Sequence, residues 1–270
     1  MGKKGTKYVA KTPDASGYIH YTDDEHAVWN ELITRQMPVV EKYASDEFLN
    51  ALNRMNFPTD RIPQCTEVSE VLREATGWEV APVPALIPFG EFFSLLANKK
   101  FPAASFIRSR EEMDYLQEPD IFHEIFGHTP LLTDPRFAEF THAYGLAGLK
   151  ASKQDRSMLA RLYWFTVEFG LMNTKKGLKT YGAGIVSSMG ETPYSIESDI
   201  PERRPFDPVT MLRTPYRIDI YQTVYYVIDS LDDLFDVAKQ DMFALIEEAR
   251  SKGMLPATFP PPDEDTPKWA

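Results

Sequence analysis

Apolar positions recur at helical spacing along most of the chain. Thr22 and Glu25 have capping-box spacing ahead of Ala27, Val28, Leu32 and Ile33, which predicts a first helix that Pro38 kinks or ends. Similar stripes follow at Phe48, Leu49, Leu52 and Met55 after Ser45, and at Val68, Val71, Leu72 and Ala75 before Gly77. Phe89, Phe92, Phe93 and Leu96 after Pro88 form another. Asp134-Pro135 opens a further helix in the cap-then-proline manner, and residues 155–171 predict one more. Strand character is confined to residues 105–108 and to the β-branched and aromatic stretch 217–228. Ser230 and Asp233 repeat the box spacing and open a long helix that Gly253 stops, with Leu231, Leu234, Phe235, Ala238, Met242, Leu245, Ile246 and Ala249 inward. The expected architecture is mainly α, with a few short β-strands.

No internal repeat or linker interrupts residues 20–254, so the expected organisation is one domain over 21–254. A flexible N-terminal segment, 1–20, precedes it, and a proline-rich acidic tail, 255–270, follows. A length of 270 residues with 43% hydrophobic and 26% charged content is that of a globular protein and excludes fibrous and low-complexity classes. The 29 basic residues face 40 acidic ones, a net charge of −11 that argues against a nucleic-acid partner. No apolar run is long enough to span a bilayer and the N-terminus lacks a secretory pattern, so no membrane partner is expected and the location is cytoplasmic. Cys65, the lone cysteine, fits a reducing compartment and a packing role.

Chemistry concentrates in PDIFHEIFGHTPLL, where His123 and His128 stand five residues apart. Zinc proteases of the His-Glu-x-x-His type need histidines four apart, which returns to one helix face. Five steps leave the rings about 140° apart on an ideal helix. Joint ligation then needs a π-bulge, or a helix that ends near Gly127. The candidate third ligand is Glu168 in LYWFTVEFGL, a carboxylate set among Trp164, Phe165, Val167 and Phe169. Two imidazoles and one carboxylate form the facial triad that suits non-haem Fe(II) and leaves coordination positions open for catalysis. The bland alternative is a pair of hydrogen-bonded histidines at a helix end and a glutamate on a solvated stripe.

PDIFHEIFGHTPLL, YWFTVEFGL and YGAGIVSSMGE, in this order, resemble the aromatic amino acid hydroxylases that use a tetrahydropterin. The likeness covers roughly residues 20 to 250 and corresponds to the catalytic domain of that family, so it implies a single aromatic amino acid hydroxylase catalytic domain at 21–254. It implies that His123, His128 and Glu168 bind Fe(II), and that Ser187 supports an iron-ligating histidine at the substrate side of the site. It implies that Arg108 binds the substrate carboxylate and Asp120 orients that arginine. Pro119, Trp164, Phe169 and Gly184 resemble the pocket around the substrate ring. Phe92 resembles the aromatic that stacks on the pterin, and Glu124 the acid that approaches it through water.

One departure touches substrate binding. Leu116 stands in YLQEPD where animal members carry a threonine, so it supplies no hydroxyl to the polar end of the substrate. Trp164 is phenylalanine in the tryptophan hydroxylases, which disfavours tryptophan as substrate. A stand-alone catalytic domain is most similar to the bacterial phenylalanine hydroxylases. The implied activity is hydroxylation of L-phenylalanine to L-tyrosine with O2 and tetrahydrobiopterin or a related tetrahydropterin. The alternatives are tyrosine or tryptophan hydroxylation and, from another class, a zinc-dependent hydrolase. The proline-rich tail is not a tetramerisation helix, so a monomer or weak homodimer is expected.

Overall fold

Side-chain caps start most helices of the chain, whose computed structural model describes residues 8–114, 116 and 118–261. Thr22 and Glu25 form the expected capping box on α1 (Asp23–Tyr43), and Ser45 caps α2 (Asp46–Met55). The helix α3 (Cys65–Thr76) ends on Gly77, whose positive φ of 77° suits the C-terminal cap. Strand β1 (Glu79–Val83), α4 (Phe89–Ala97) and β2 (Lys100–Ala104) follow, with β1 and β2 paired in parallel. A π-helical turn, His123–His128, leads through Pro130–Thr133 into α5 (Pro135–Lys150), which Asp134 caps. Next come α6 (Lys153–Tyr163) and a second π-helical turn, Trp164–Glu168.

The rest of the chain builds a four-stranded sheet with helices against it. In order, it comprises β3 (Gly170–Thr174), β4 (Gly177–Thr180), α7 (Ala183–Val186), α8 (Glu191–Glu197), β5 (Glu202–Pro205), α9 (Pro208–Arg213) and β6 (Val224–Ile228). The strand order is β4-β3-β6-β5, with β3 and β4 antiparallel and the other two pairs parallel. Two helices, α10 (Leu231–Ala238) and α11 (Met242–Lys252), finish the described chain. Helix predominates, as expected. No helix among the described residues is long and apolar enough to cross a membrane.

Several local expectations are corrected. Pro38 does not end α1, which runs to Tyr43. Residues 105–108 are not a strand, because their polar groups are taken elsewhere. Asp120 accepts from the Arg108 N–H, and the Phe106 carbonyl accepts from Ile121. The strand within 217–228 begins only at Val224. The helix expected over 155–171 gives way to the π turn at Trp164 and to β3 at Gly170. The long helix after Ser230 is two helices, because the Asp241 side chain accepts from the N–H groups of Phe243 and Ala244 and caps α11 afresh. Residues 1–7 and 262–270 of the two terminal segments, with Tyr115 and Gln117 of the YLQEPD stretch, lie outside the described residues. Inside the N-terminal segment, Ile19 is buried and its N–H donates to Gln64.

The core runs beneath the first π turn. Phe122 stacks on Phe126 at 4.9 Å, Trp29 of α1 meets Phe122 edge-on at 5.4 Å, and Phe48 of α2 reaches Phe126 at 6.4 Å. These rings fix one side of the turn, which leaves its histidines on the other. Replacing Asp241 with alanine should cost about 1 kcal/mol, read as a lower urea midpoint; an unchanged midpoint would show that the break between α10 and α11 does not depend on the cap.

Candidate metal centre and aromatic pocket

The five-residue spacing of the histidines is accommodated by the backbone itself. In a π-helical turn the bonds run from i to i+5, so His123 and His128 come one above the other instead of 140° apart. Gly127 permits the turn to lie directly on α7, since a Cβ there would stand 2.9 Å from the Ala183 carbonyl oxygen. The second π turn, closed by the Phe169 N–H on the Trp164 carbonyl at 2.8 Å, brings Glu168 to the same place. His128 Nε2 lies 3.1 Å from His123 Nε2 and 3.1 Å from Glu168 Oε1, and His123 Nε2 lies 3.6 Å from Glu168 Oε2. Among the described residues these three form the cluster able to hold a metal ion.

The donor set fits a divalent cation. Ligand bonds of about 2.1 Å at right angles would separate neighbouring donors by roughly 3 Å, close to the distances found. Tautomer assignment supports the fit. The single Ser187 hydroxyl proton goes to the Ala183 carbonyl at 2.7 Å, so Ser187 Oγ accepts from His123 Nδ1 at 2.8 Å. That leaves the Nε2 lone pair of His123 facing the cluster. Burial pushes His123 down to about 4, against the opposing pull of Glu168, so the imidazole is neutral near neutral pH. Burial alone would raise Glu168, but His128, His123 and the Gly184 N–H together hold it below the usual carboxylate range. Two imidazoles and a carboxylate is the set expected for non-haem iron.

Arg108 and Asp120 are brought together beside the cluster. Arg108 donates from Nε at 2.8 Å and Nη2 at 3.0 Å to the two Asp120 oxygens, and its backbone N–H adds a third bond at 2.9 Å. Asp120 also accepts from the His123 N–H at 3.1 Å, which links the arginine to the first π turn. Burial would raise the Asp120 carboxyl, yet the Arg108 charge and these bonds keep it below its ordinary value. The Nη1/Nη2 edge of the guanidinium retains donors beyond Asp120, with one weak contact to the Met113 carbonyl at 3.4 Å.

An aromatic wall lies next to Glu168. Trp164 packs against Phe169 at 4.5 Å and stacks on Tyr216 at 4.4 Å, and a Cβ on Gly184 would come within 2.8 Å of Phe169. Trp164, Phe169 and Gly184 are therefore contiguous, while Pro119 is half-buried beside Asp120. Phe92 reaches the cluster at one remove: it meets Tyr163 edge-on at 5.6 Å, and Tyr163 faces His128 at 6.2 Å. Glu124, next to His123 in the turn, has its carboxyl pushed well up by burial, with Glu168 and Asp120 adding to the effect. Leu116 is half-buried. A cleft of about 440 Å3 opens between α1 and residues 107–112, but none of the three donors lines it.

Sequence reasoning passed over Tyr163, Tyr216 and Gln222. The first two were not singled out, and Gln222 sits in the stretch 217–228 expected to be strand. A buried glutamine among apolar neighbours was the signal available.

The model of the family described as "Biopterin-dependent aromatic amino acid hydroxylase" matches residues 5–248. The chain is 57% identical over 258 residues to the phenylalanine-4-hydroxylase of Pseudomonas aeruginosa, a match covering 96% of this chain and 98% of that one. It is similar to the apo structure of the cold-active phenylalanine hydroxylase from Colwellia psychrerythraea 34H, with a TM-score of 0.91 and 55% identity over 93% of this chain and 97% of that chain. The Chromobacterium violaceum phenylalanine hydroxylase with bound oxidised Fe(III) matches with a TM-score of 0.85 and 43% identity, over 91% of this chain and 89% of that one.

Replacing Ser187 with alanine should weaken Fe(II) binding about 10- to 100-fold, because His123 loses the partner that fixes its tautomer. Titration of metal-free protein checks this, and an unchanged affinity would show that Ser187 does not orient the ligand.

Proposed function

The chain belongs to the biopterin-dependent aromatic amino acid hydroxylases, and from this we propose that it hydroxylates L-phenylalanine to L-tyrosine, using O2 and a tetrahydropterin at a non-haem Fe(II) site. The observation that carries the reading is the convergence of His123, His128 and Glu168 beside the Trp164, Phe169 and Gly184 wall. His123, His128 and Glu168 would hold the iron, and Ser187 fixes the first of them. Bound Fe(II) would supply the activation of oxygen, and the reduced pterin the two electrons that the second oxygen atom requires.

The chain's own side chains bind, orient and exclude water. Arg108 grips the substrate carboxylate through its Nη1/Nη2 edge while Asp120 holds its other edge. Pro119, Trp164, Phe169 and Gly184 surround the substrate ring, so that a para carbon is directed at the metal side of the pocket. Phe92 would stack on the pterin. Glu124, whose carboxyl burial pushes well up, would face it through water. The catalytic unit is 21–254, acting in the cytoplasm as a monomer or weak homodimer. The lone buried Cys65, whose thiol burial raises to about 12, suits a reducing compartment and packs inertly.

Turnover of phenylalanine, tyrosine and tryptophan with Fe(II), O2 and a reduced pterin tests the reading. Phenylalanine should be the preferred substrate and tryptophan the poorest. Tyrosine preferred over phenylalanine would move the chain to another member activity, and no turnover of any of the three by iron-loaded protein would defeat the reading.

Arg108→Lys should raise the KM for phenylalanine about 10- to 100-fold, the worth of a charged bidentate contact, with iron content retained. An unchanged KM would return Arg108 to a purely structural partner of Asp120.

A further inference from the structure

The loop between α9 and β6 holds a buried amide whose polar atoms are all engaged. Gln222 is 4% exposed. Its Nε2 donates to the carbonyls of Arg217 at 2.9 Å and Ile220 at 3.2 Å, which sets the amide orientation and leaves Oε1 as the acceptor. That oxygen accepts from the Trp164 indole N–H at 2.9 Å. The Gln222 backbone N–H donates to Glu191 at 3.0 Å, and Glu191, also 4% exposed, takes the Tyr225 hydroxyl as a second donor. Trp164 thus has its faces packed by Tyr216 and Phe169 and its N–H edge held by Gln222.

An apolar residue would fill this position at lower desolvation cost, because a buried amide is tolerated only when its bonds are made. A ring caught between two others can still slide and turn in its own plane, and stacking hardly resists that motion. The bond to Gln222 does resist it. We propose that Gln222 is a positioning residue for substrate selection, fixing the Trp164 indole in the plane and rotation that shape the aromatic pocket, with Glu191 holding the Gln222 backbone. The inference rests on the reading of Trp164 as a wall of the phenylalanine pocket.

Gln222→Met keeps the volume and removes the acceptor. The KM for phenylalanine should rise about fivefold, within the range a neutral hydrogen bond supports, while kcat at saturating substrate and iron per chain stay at the parent values. Loss of buried hydrogen bonds lowers the melting temperature in either case, so a double-mutant cycle with Trp164→Phe decides the role. In that background, which lacks the indole N–H, Gln222→Met should change KM by less than about twofold. Should the methionine variant not accumulate folded, Gln222→Asn withdraws the same acceptor by one methylene and must raise KM likewise.

If Trp164→Phe by itself leaves KM and the tryptophan-to-phenylalanine turnover ratio unchanged, the pocket reading fails and the proposal with it. If Trp164→Phe moves them but the Gln222 variant does not, or if that variant raises KM equally in both backgrounds, the positioning role alone is overturned.

Discussion

Two imidazoles five residues apart cannot share one cation on a regular α-helix, and here the backbone turn of His123–His128 is wider, with its surroundings holding it so. Phe122 and Phe126 anchor its buried side on Trp29 and Phe48. Asp120 accepts the first N–H of the turn, and α7 lies against it at Gly127. An i to i+5 turn is rarer and less favourable than an α turn, so it persists because packing on several sides leaves the chain no better arrangement. The second such turn carries Trp164 at its start and Glu168 at its end. One backbone feature therefore ties the Glu168 carboxylate to the aromatic wall.

Charge placement follows the same logic. A buried carboxylate facing two imidazole nitrogens is costly in a dry site unless a cation or a donor satisfies it. Glu168 has both imidazoles and the Gly184 N–H on its side, and a divalent ion between the donors would complete the balance. Arg108 and Asp120 neutralise each other at near-complete burial, which lets the guanidinium remain charged and rigid beside an apolar pocket. An unpaired arginine there would have to find solvent, and its donors would lose their fixed direction.

Much of this was legible in the chain because local signals agree with the final structure. Capping residues Thr22, Ser45 and Asp134 begin helices where their spacing says they should. The site was legible for a different reason: its donors lie in motifs dense in aromatics, and the five-residue step itself demanded a π-bulge or an early helix end. The misreadings have tertiary causes. Residues 105–108 have strand composition, but the Asp120 carboxylate takes the Arg108 N–H. Gln222 was hidden in a strand-like run because its role depends on Trp164, 58 positions earlier in the chain. The break at Asp241 competes with an apolar stripe that continues across it, and the stripe is the stronger local pattern.

The central claim is that the two π turns assemble one facial site for a divalent metal with open positions. Titration of metal-free protein with Co(II), followed by its visible absorption, tests this most directly. The account predicts saturation at one ion per chain with the weak bands of five- or six-coordinate cobalt, lost when Glu168 is replaced by glutamine. Intense bands of a closed tetrahedral site, or the absence of stoichiometric binding, would contradict it.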